Sequence, residues 1–165
     1  MDREFLAGVL TISDKGSQGL RKDESGEIVV RMLEEQGFTV LRYKIIPDDC
    51  QQIVDTLVAW VDRDRLSLIV TSGGTGLSPT DLTPLAMEEV IDYYVPGIAE
   101  AMRAESLKKT PHAMISRAMA GVRQTCLIIN LPGSPGGARD NLLVVLPALN
   151  HALLKLAGDT SDCAK

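Results

Sequence analysis

Between Leu66 and Pro84 a short run of apolar, largely β-branched residues empties into Ser72-Gly73-Gly74-Thr75-Gly76. Ser78-Pro79 and the acid Asp81 follow. Glycines let a backbone approach a phosphate closely, and successive N–H groups in such a loop can form a nest that holds an anion. A carboxylate does not hold phosphate by itself, but it can carry a divalent cation to one. These residue types therefore suit phosphate chemistry. The loop is not a Walker A loop, because no Gly-Lys-Ser/Thr closes it, and it lacks the GxGxxG spacing of a dinucleotide site.

Glycines after a strand often serve only to turn the chain, but this loop exceeds a minimal connection and holds polar groups with no capping duty. An acid before a helix is usually its cap. Thr83, ahead of Pro84, can supply that cap and leaves Asp81 for function. Asp48 and Asp49 pose the same question: Asp49 has capping-box spacing with Gln52, so Asp48, behind Pro47, is the freer carboxylate. Asp14, after Ser13, reads equally as a turn residue and as a site residue. Gly133-Ser134-Pro135 has the form of a capped helix start, and such a start is also an anion site. Arg139 reads as a solvated surface charge. His112 and His151 stand alone, and no Ser-His-Asp or Cys-His set can be assembled.

The elements that must position these residues follow from periodicity. Leu6 to Ile12 reads as a strand buried on both faces, followed by about a dozen loop residues and a helix from Ser25 to Gln36, stopped at Gly37. Thr39 to Ile46 is a second strand. Ile53, Leu57, Trp60 and Val61 mark the apolar face of a helix. The third strand feeds the glycine loop, and helices are expected near Leu85 to Tyr93 and Ile98 to Leu107. Lys108 to Gln124 is hard to read, with a short antiparallel strand around Ala120 to Arg123. Thr125 to Leu131 is a central strand, and two helical pieces on either side of Pro147 lead to about Ala157. Residues 158–165 read as a frayed tail. Strands alternating with helices indicate right-handed crossovers and a mostly parallel sheet in a single domain over 1–157. The ends of four strands then fall on one edge, where open sheets bind ligands.

Formal net charge is −5 with no basic run, which argues against nucleic-acid binding. No signal-peptide pattern or membrane-length apolar run is present, and Cys50, Cys126 and Cys163 lack metal-ligand spacing. The expectation is a cytoplasmic protein with free thiols and no membrane association.

Thr71 to Gly76, Ser78 to Pro84, Ile46-Pro47-Asp48 and Asn130 to Pro135 together resemble the signatures of the molybdenum-cofactor biosynthesis family of MogA/MoaB type, the molybdopterin adenylyltransferases. The resemblance runs from about Leu6 to Leu156. It implies a three-layer α/β/α sandwich that assembles as a homotrimer. It also implies transfer of AMP from ATP to the terminal phosphate of molybdopterin, with release of pyrophosphate and hand-over of the product to a molybdate-inserting enzyme. The family's two essential acids fall on Asp48 and Asp81, which would hold Mg²⁺. The nucleotide and pterin-phosphate residues fall on Ser13, Asp14, Ser72, Gly73, Gly74, Thr75, Gly76, Ser78, Pro79, Gly133, Ser134 and Pro135. The alternative is a module of the same fold that binds molybdopterin without catalysis.

Overall fold

The computed structural model describes residues 4–161; Cys163 and the last part of the expected tail lie outside them. In chain order the elements are β1 (Leu6–Ile12), α1 (Asp14–Ser17), α2 (Glu24–Glu35), β2 (Thr39–Ile46), α3 (Cys50–Asp62), β3 (Leu68–Ser72), α4 (Thr83–Val90), β4 (Tyr93–Tyr94), α5 (Pro96–Leu107), a 3-10 turn (Pro111–Ile115), β5 (Ala120–Arg123), β6 (Cys126–Leu131) and α6 (Pro135–Leu156). The six strands form one sheet in the order β2-β1-β3-β6-β5-β4. The first four in that order run parallel, and β5 runs against both of its neighbours.

The central strands are buried on both faces because their side chains alternate between two cores. Ala7, Val9, Leu68, Val70, Leu127 and Ile129 meet Val29 of α2, Met102 of α5 and Leu142 and Leu149 of α6. Leu10, Ile12, Ile69 and Ile128 face the other way, onto Ile53, Leu57 and Trp60 of α3 and Met87 of α4. The result is the expected three-layer α/β/α arrangement with a mostly parallel sheet.

Three local expectations need correction. The stretch after β1 is not all loop: a single helical turn forms because the Ser13 hydroxyl accepts from Gly16 N at 3.0 Å. One turn is too short to show periodicity. Helix α4 is not capped by Thr83, and it ends at Val90 because Tyr93 and Tyr94 pair with β5 instead. Finally, α6 is one helix that continues through Pro147. A proline inside a helix removes the bond to the carbonyl four residues earlier. Here that residue is Leu143, 49% exposed, so water can take the freed carbonyl while Leu142, Val145, Leu149 and Leu153 stay buried along one face. Beyond the helix Asp159 N donates to Leu154 O at 3.0 Å and Lys155 pairs with Asp159 at 3.2 Å.

Candidate active site

The carboxyl ends of β1, β2, β3 and β6 open on one rim, and each delivers part of a cleft of about 690 Å³. At the end of β1 comes Asp14, and at the end of β2, behind Pro47, comes Asp48. Asp48 N donates to Asp14 Oδ1 at 3.0 Å, and Asp14 N donates to Asp48 Oδ2 at 3.3 Å. Each acid is therefore held by the main chain of the other, which fixes the Asp48 carboxylate in direction. Asp49 caps α3, accepting from Gln52 N at 2.8 Å, and is spent on that duty.

At the end of β3, Gly73 and Gly74 adopt φ of +105° and +67°. A Cβ on Gly73 would lie 2.2 Å from Ile12 O, and one on Gly74 would lie 2.4 Å from Thr83 Oγ1 and 3.3 Å from Asp48 Oδ1. The turn is thus glycine both for its backbone angles and for its neighbours, and Asp48 sits directly over it. Thr83, fully buried, donates its hydroxyl to Gly73 O at 2.9 Å, and this replaces the capping role that the sequence suggested. Ser72 Oγ donates to Pro132 O at 3.2 Å and Ser25 Oγ to Gly133 O at 2.7 Å, tying the loop after β6 to the glycine turn and to α2. Ser134 caps α6, accepting from Gly137 N at 3.2 Å, so that helix begins at the cleft.

Asp81 is brought to the same cleft and is not idle structurally. Its Oδ2 accepts from Ser78 N at 2.9 Å while its own N donates to Ser78 O at 2.9 Å, closing a tight turn. Ser13, Asp48, Ser72, Gly73, Gly74, Asp81, Gly133, Ser134 and Pro135 all line the cleft. Asp14 reaches it through Asp48. Thr75 and Gly76 instead line a neighbouring cavity of about 320 Å³, which shares Ser134 with the first. Ser78 and Pro79 lie on the exposed turn. His112 lines the second cavity, His151 is exposed, and neither reaches the main cleft.

Electrostatically the cleft concentrates negative charge. The Asp48 carboxyl is held above its ordinary value, first by burial and then by the charge of Asp14; the Asp14 main-chain N–H offsets this in part, and Asp81 adds to it. The converging carboxylates are thus poised for a cation, which would remove that penalty. Among the described residues no set of three or more His, Cys, Asp or Glu forms a complete metal cage. Two carboxylates suit magnesium, which is usually held by one or two and completed by substrate phosphate and water. Arg21 and Lys22, from the loop before α2, are the cations on the cleft wall.

Sequence reasoning missed the segment Arg21 to Ser25, which lines the cleft, and Arg117, which braces it from outside. An Asp23 cap at the start of α2 was the available signal for the first, since Asp23 accepts from Gly26 N at 3.0 Å. Nothing local pointed to Arg117. Cys50 and Cys126 are free, and burial pushes the Cys126 thiol up to about 12. No helix among the described residues is long and apolar enough to cross a membrane.

Comparison with known proteins gives one consistent result. A family model described as "Probable molybdopterin binding domain" matches residues 8–151. The chain is 40% identical over 154 residues to a molybdopterin adenylyltransferase of Helicobacter pylori, covering 92% of this chain and 88% of that one. It is 41% identical over 162 residues to gephyrin of Dictyostelium discoideum, of whose length it spans 22%. The crystal structure of the molybdopterin biosynthesis enzyme MoaB from Thermus thermophilus superposes with a TM-score of 0.88 at 49% identity, covering 94% of this chain and 98% of that one.

Proposed function

The chain belongs to the molybdopterin-binding domain family of molybdenum cofactor biosynthesis, and from that premise we propose that its cleft transfers AMP from ATP to the terminal phosphate of molybdopterin, releasing pyrophosphate. The observation that carries this reading is the meeting of Asp48 and Asp81, from the ends of separate segments, around a glycine turn at a single rim.

In this reaction two polyanions must be brought together, and the protein's task is to position them and neutralise charge. Asp48 and Asp81 are the residues that would hold Mg²⁺, which supplies charge neutralisation on the triphosphate when bound. The turn at Gly73 and Gly74 lets main-chain N–H groups approach phosphate where a side chain would collide. The start of α6 at Ser134 and Pro135 presents the positive end of a helix dipole to the same space. Ser13 and Asp14 hold the wall on which Asp48 stands. No side chain serves as a covalent nucleophile, because the pterin phosphate is the attacking group. The smaller cavity, bordered by Thr75 and Gly76 and sharing Ser134, is assigned to the pterin substrate, so that its phosphate meets the nucleotide across the glycine loop. Ser78 and Pro79 shape the turn that carries Asp81. The reading includes a cytoplasmic homotrimer and hand-over to a molybdate-inserting enzyme. The occurrence of this domain inside a much longer relative is consistent with such hand-over.

The experiment is AMP transfer and pyrophosphate release from Mg-ATP with molybdopterin as acceptor. Asp81→Asn keeps an acceptor for Ser78 N, so the fold persists, and the rate is expected to fall at least about 100-fold, as for loss of one preorganised electrostatic group. Near-normal turnover in the variant removes Asp81 from the mechanism. A wild-type protein that binds molybdopterin but transfers nothing is a binding module instead.

A further inference from the structure

Arg117 lies outside every motif that marks the cleft, on the segment between the 3-10 turn and β5, yet it makes three bonds to the loop that carries Asp81. Its main-chain N donates to Thr75 O at 2.8 Å. Its guanidinium forks: Nε donates to Gly76 O at 2.8 Å and Nη2 to Asp81 O at 2.8 Å. These two carbonyls bracket the exposed residues Leu77 to Thr80. Within the bracket the hydrogen bonds are local, between Ser78 and Asp81 and between the Ser78 and Thr80 hydroxyls. The local turn therefore fixes Asp81 relative to Ser78, while Arg117 fixes the turn relative to the sheet.

The other end of this brace is rigid. Asn130, fully buried on β6, donates from Nδ2 to Thr71 Oγ1 of β3 at 3.1 Å and accepts from Met119 N on Oδ1 at 3.4 Å. Its own N donates to Met119 O at 2.9 Å. Two central strands thus hold the segment that holds the loop. Only a planar fork with donors on separate nitrogens can span two carbonyls in this way; a lysine ammonium offers a single point.

We propose that Arg117 is a positioning residue: it sets the Asp81 carboxylate opposite Asp48 by clamping the Gly76 and Asp81 carbonyls onto the Asn130-anchored segment. This rests on the functional reading given above, and one arm of its test does not depend on activity. Three variants serve: Arg117→Lys, Arg117→Met, which keeps much of the stem, and Arg117→Ala, which leaves room for added ethylguanidinium. Hydrogen exchange at the Ser78 and Asp81 amides, measured without substrate, is expected to quicken at least tenfold in Met and Lys variants while β3 and β6 amides keep wild-type rates. In the adenylylation assay kcat should fall at least 30-fold, the Mg²⁺ concentration for half-maximal rate should rise several-fold, and lysine should not rescue. Ethylguanidinium should restore Arg117→Ala at least fivefold. Wild-type exchange at Ser78 and Asp81 in Arg117→Met overturns the proposal. So does a loss of activity that follows thermal stability alone with an unchanged Mg²⁺ requirement. If wild-type protein transfers no AMP, the functional reading fails and the exchange arm still decides the role of Arg117.

Discussion

Replacing Gly73 with alanine sets two separable costs against each other. At φ of +105° an L side chain is strained, and left-handed backbone costs an alanine on the order of 1–2 kcal/mol. The added Cβ would also stand 2.2 Å from Ile12 O, a main-chain atom that cannot rotate away. To bring that contact out to 3.0 Å the ends of β1 and β3 must separate by roughly 0.8 Å, endangering the bond from Gly73 N to Leu131 O at 3.1 Å, worth roughly 0.5–1.5 kcal/mol. Together these give about 1.5–3.5 kcal/mol, or about 3–14 °C in melting temperature for a domain of this size. Gly37→Ala is the control. Its φ is +86° but nothing lies within 4 Å of its Cβ position, so only the backbone strain, on the order of 1–2 kcal/mol, applies. Calorimetric melting of both variants beside wild type, with nucleotide affinity by titration calorimetry, separates the costs. A Gly73→Ala variant that melts no lower than Gly37→Ala refutes the collision with Ile12 O, and one that melts much lower while binding nucleotide as tightly as wild type refutes the part given to this turn in binding.

Thr83→Val keeps shape and burial but strips Gly73 O of its donor, which is expected to cost about 1–3 kcal/mol. Thr83→Ser should recover most of that, and a valine variant as stable as wild type in urea unfolding would contradict the role given to the hydroxyl. Asp48 makes a pH-dependent prediction. Its folded carboxyl sits above its ordinary value, so the folded protein binds the proton more readily than the unfolded chain. Ionised Asp48 therefore lowers stability above its folded value, and the cost disappears as pH falls to the ordinary carboxylate value, about 3.9, and below. Asp48→Asn should raise the melting temperature at pH 7 in EDTA and give no gain near pH 3.5, while abolishing transfer. A gain of the same size at both pH values would show that burial and neighbouring charge are not its cause.

The sequence made the architecture legible where residues repeat and opaque where they do not. Leu6–Ile12 and Thr39–Ile46, closed by Ser13-Asp14 and by Pro47-Asp48, both form as read. The rim followed from the parallel sheet alone, and it brought Asp48 to Gly74 as required. Elements that depend on one distant partner were hidden. Thr83 looked like a cap because nothing local shows that its hydroxyl meets Gly73 O. Pro147 looked like a break because the tolerance of a proline depends on whether Leu143 faces water. Arg117 was invisible because its partners are carbonyls about forty residues earlier, and main-chain acceptors leave no trace in residue type.

The reversed direction of β5 decides where variation is harmless. Because Ala120 pairs with Ile129 and Arg123 with Cys126, it is the entrance of this strand, not its exit, that lies toward the cleft. A wholly parallel sheet would send every incoming segment to the far pole. The connection at Gln124 lies at that pole, so extra residues inserted there should leave the chemistry untouched. The stretch from Lys108 to Met119 is spanned like a tether between two fixed posts, and a change of even one residue in its length should be felt at the acid loop.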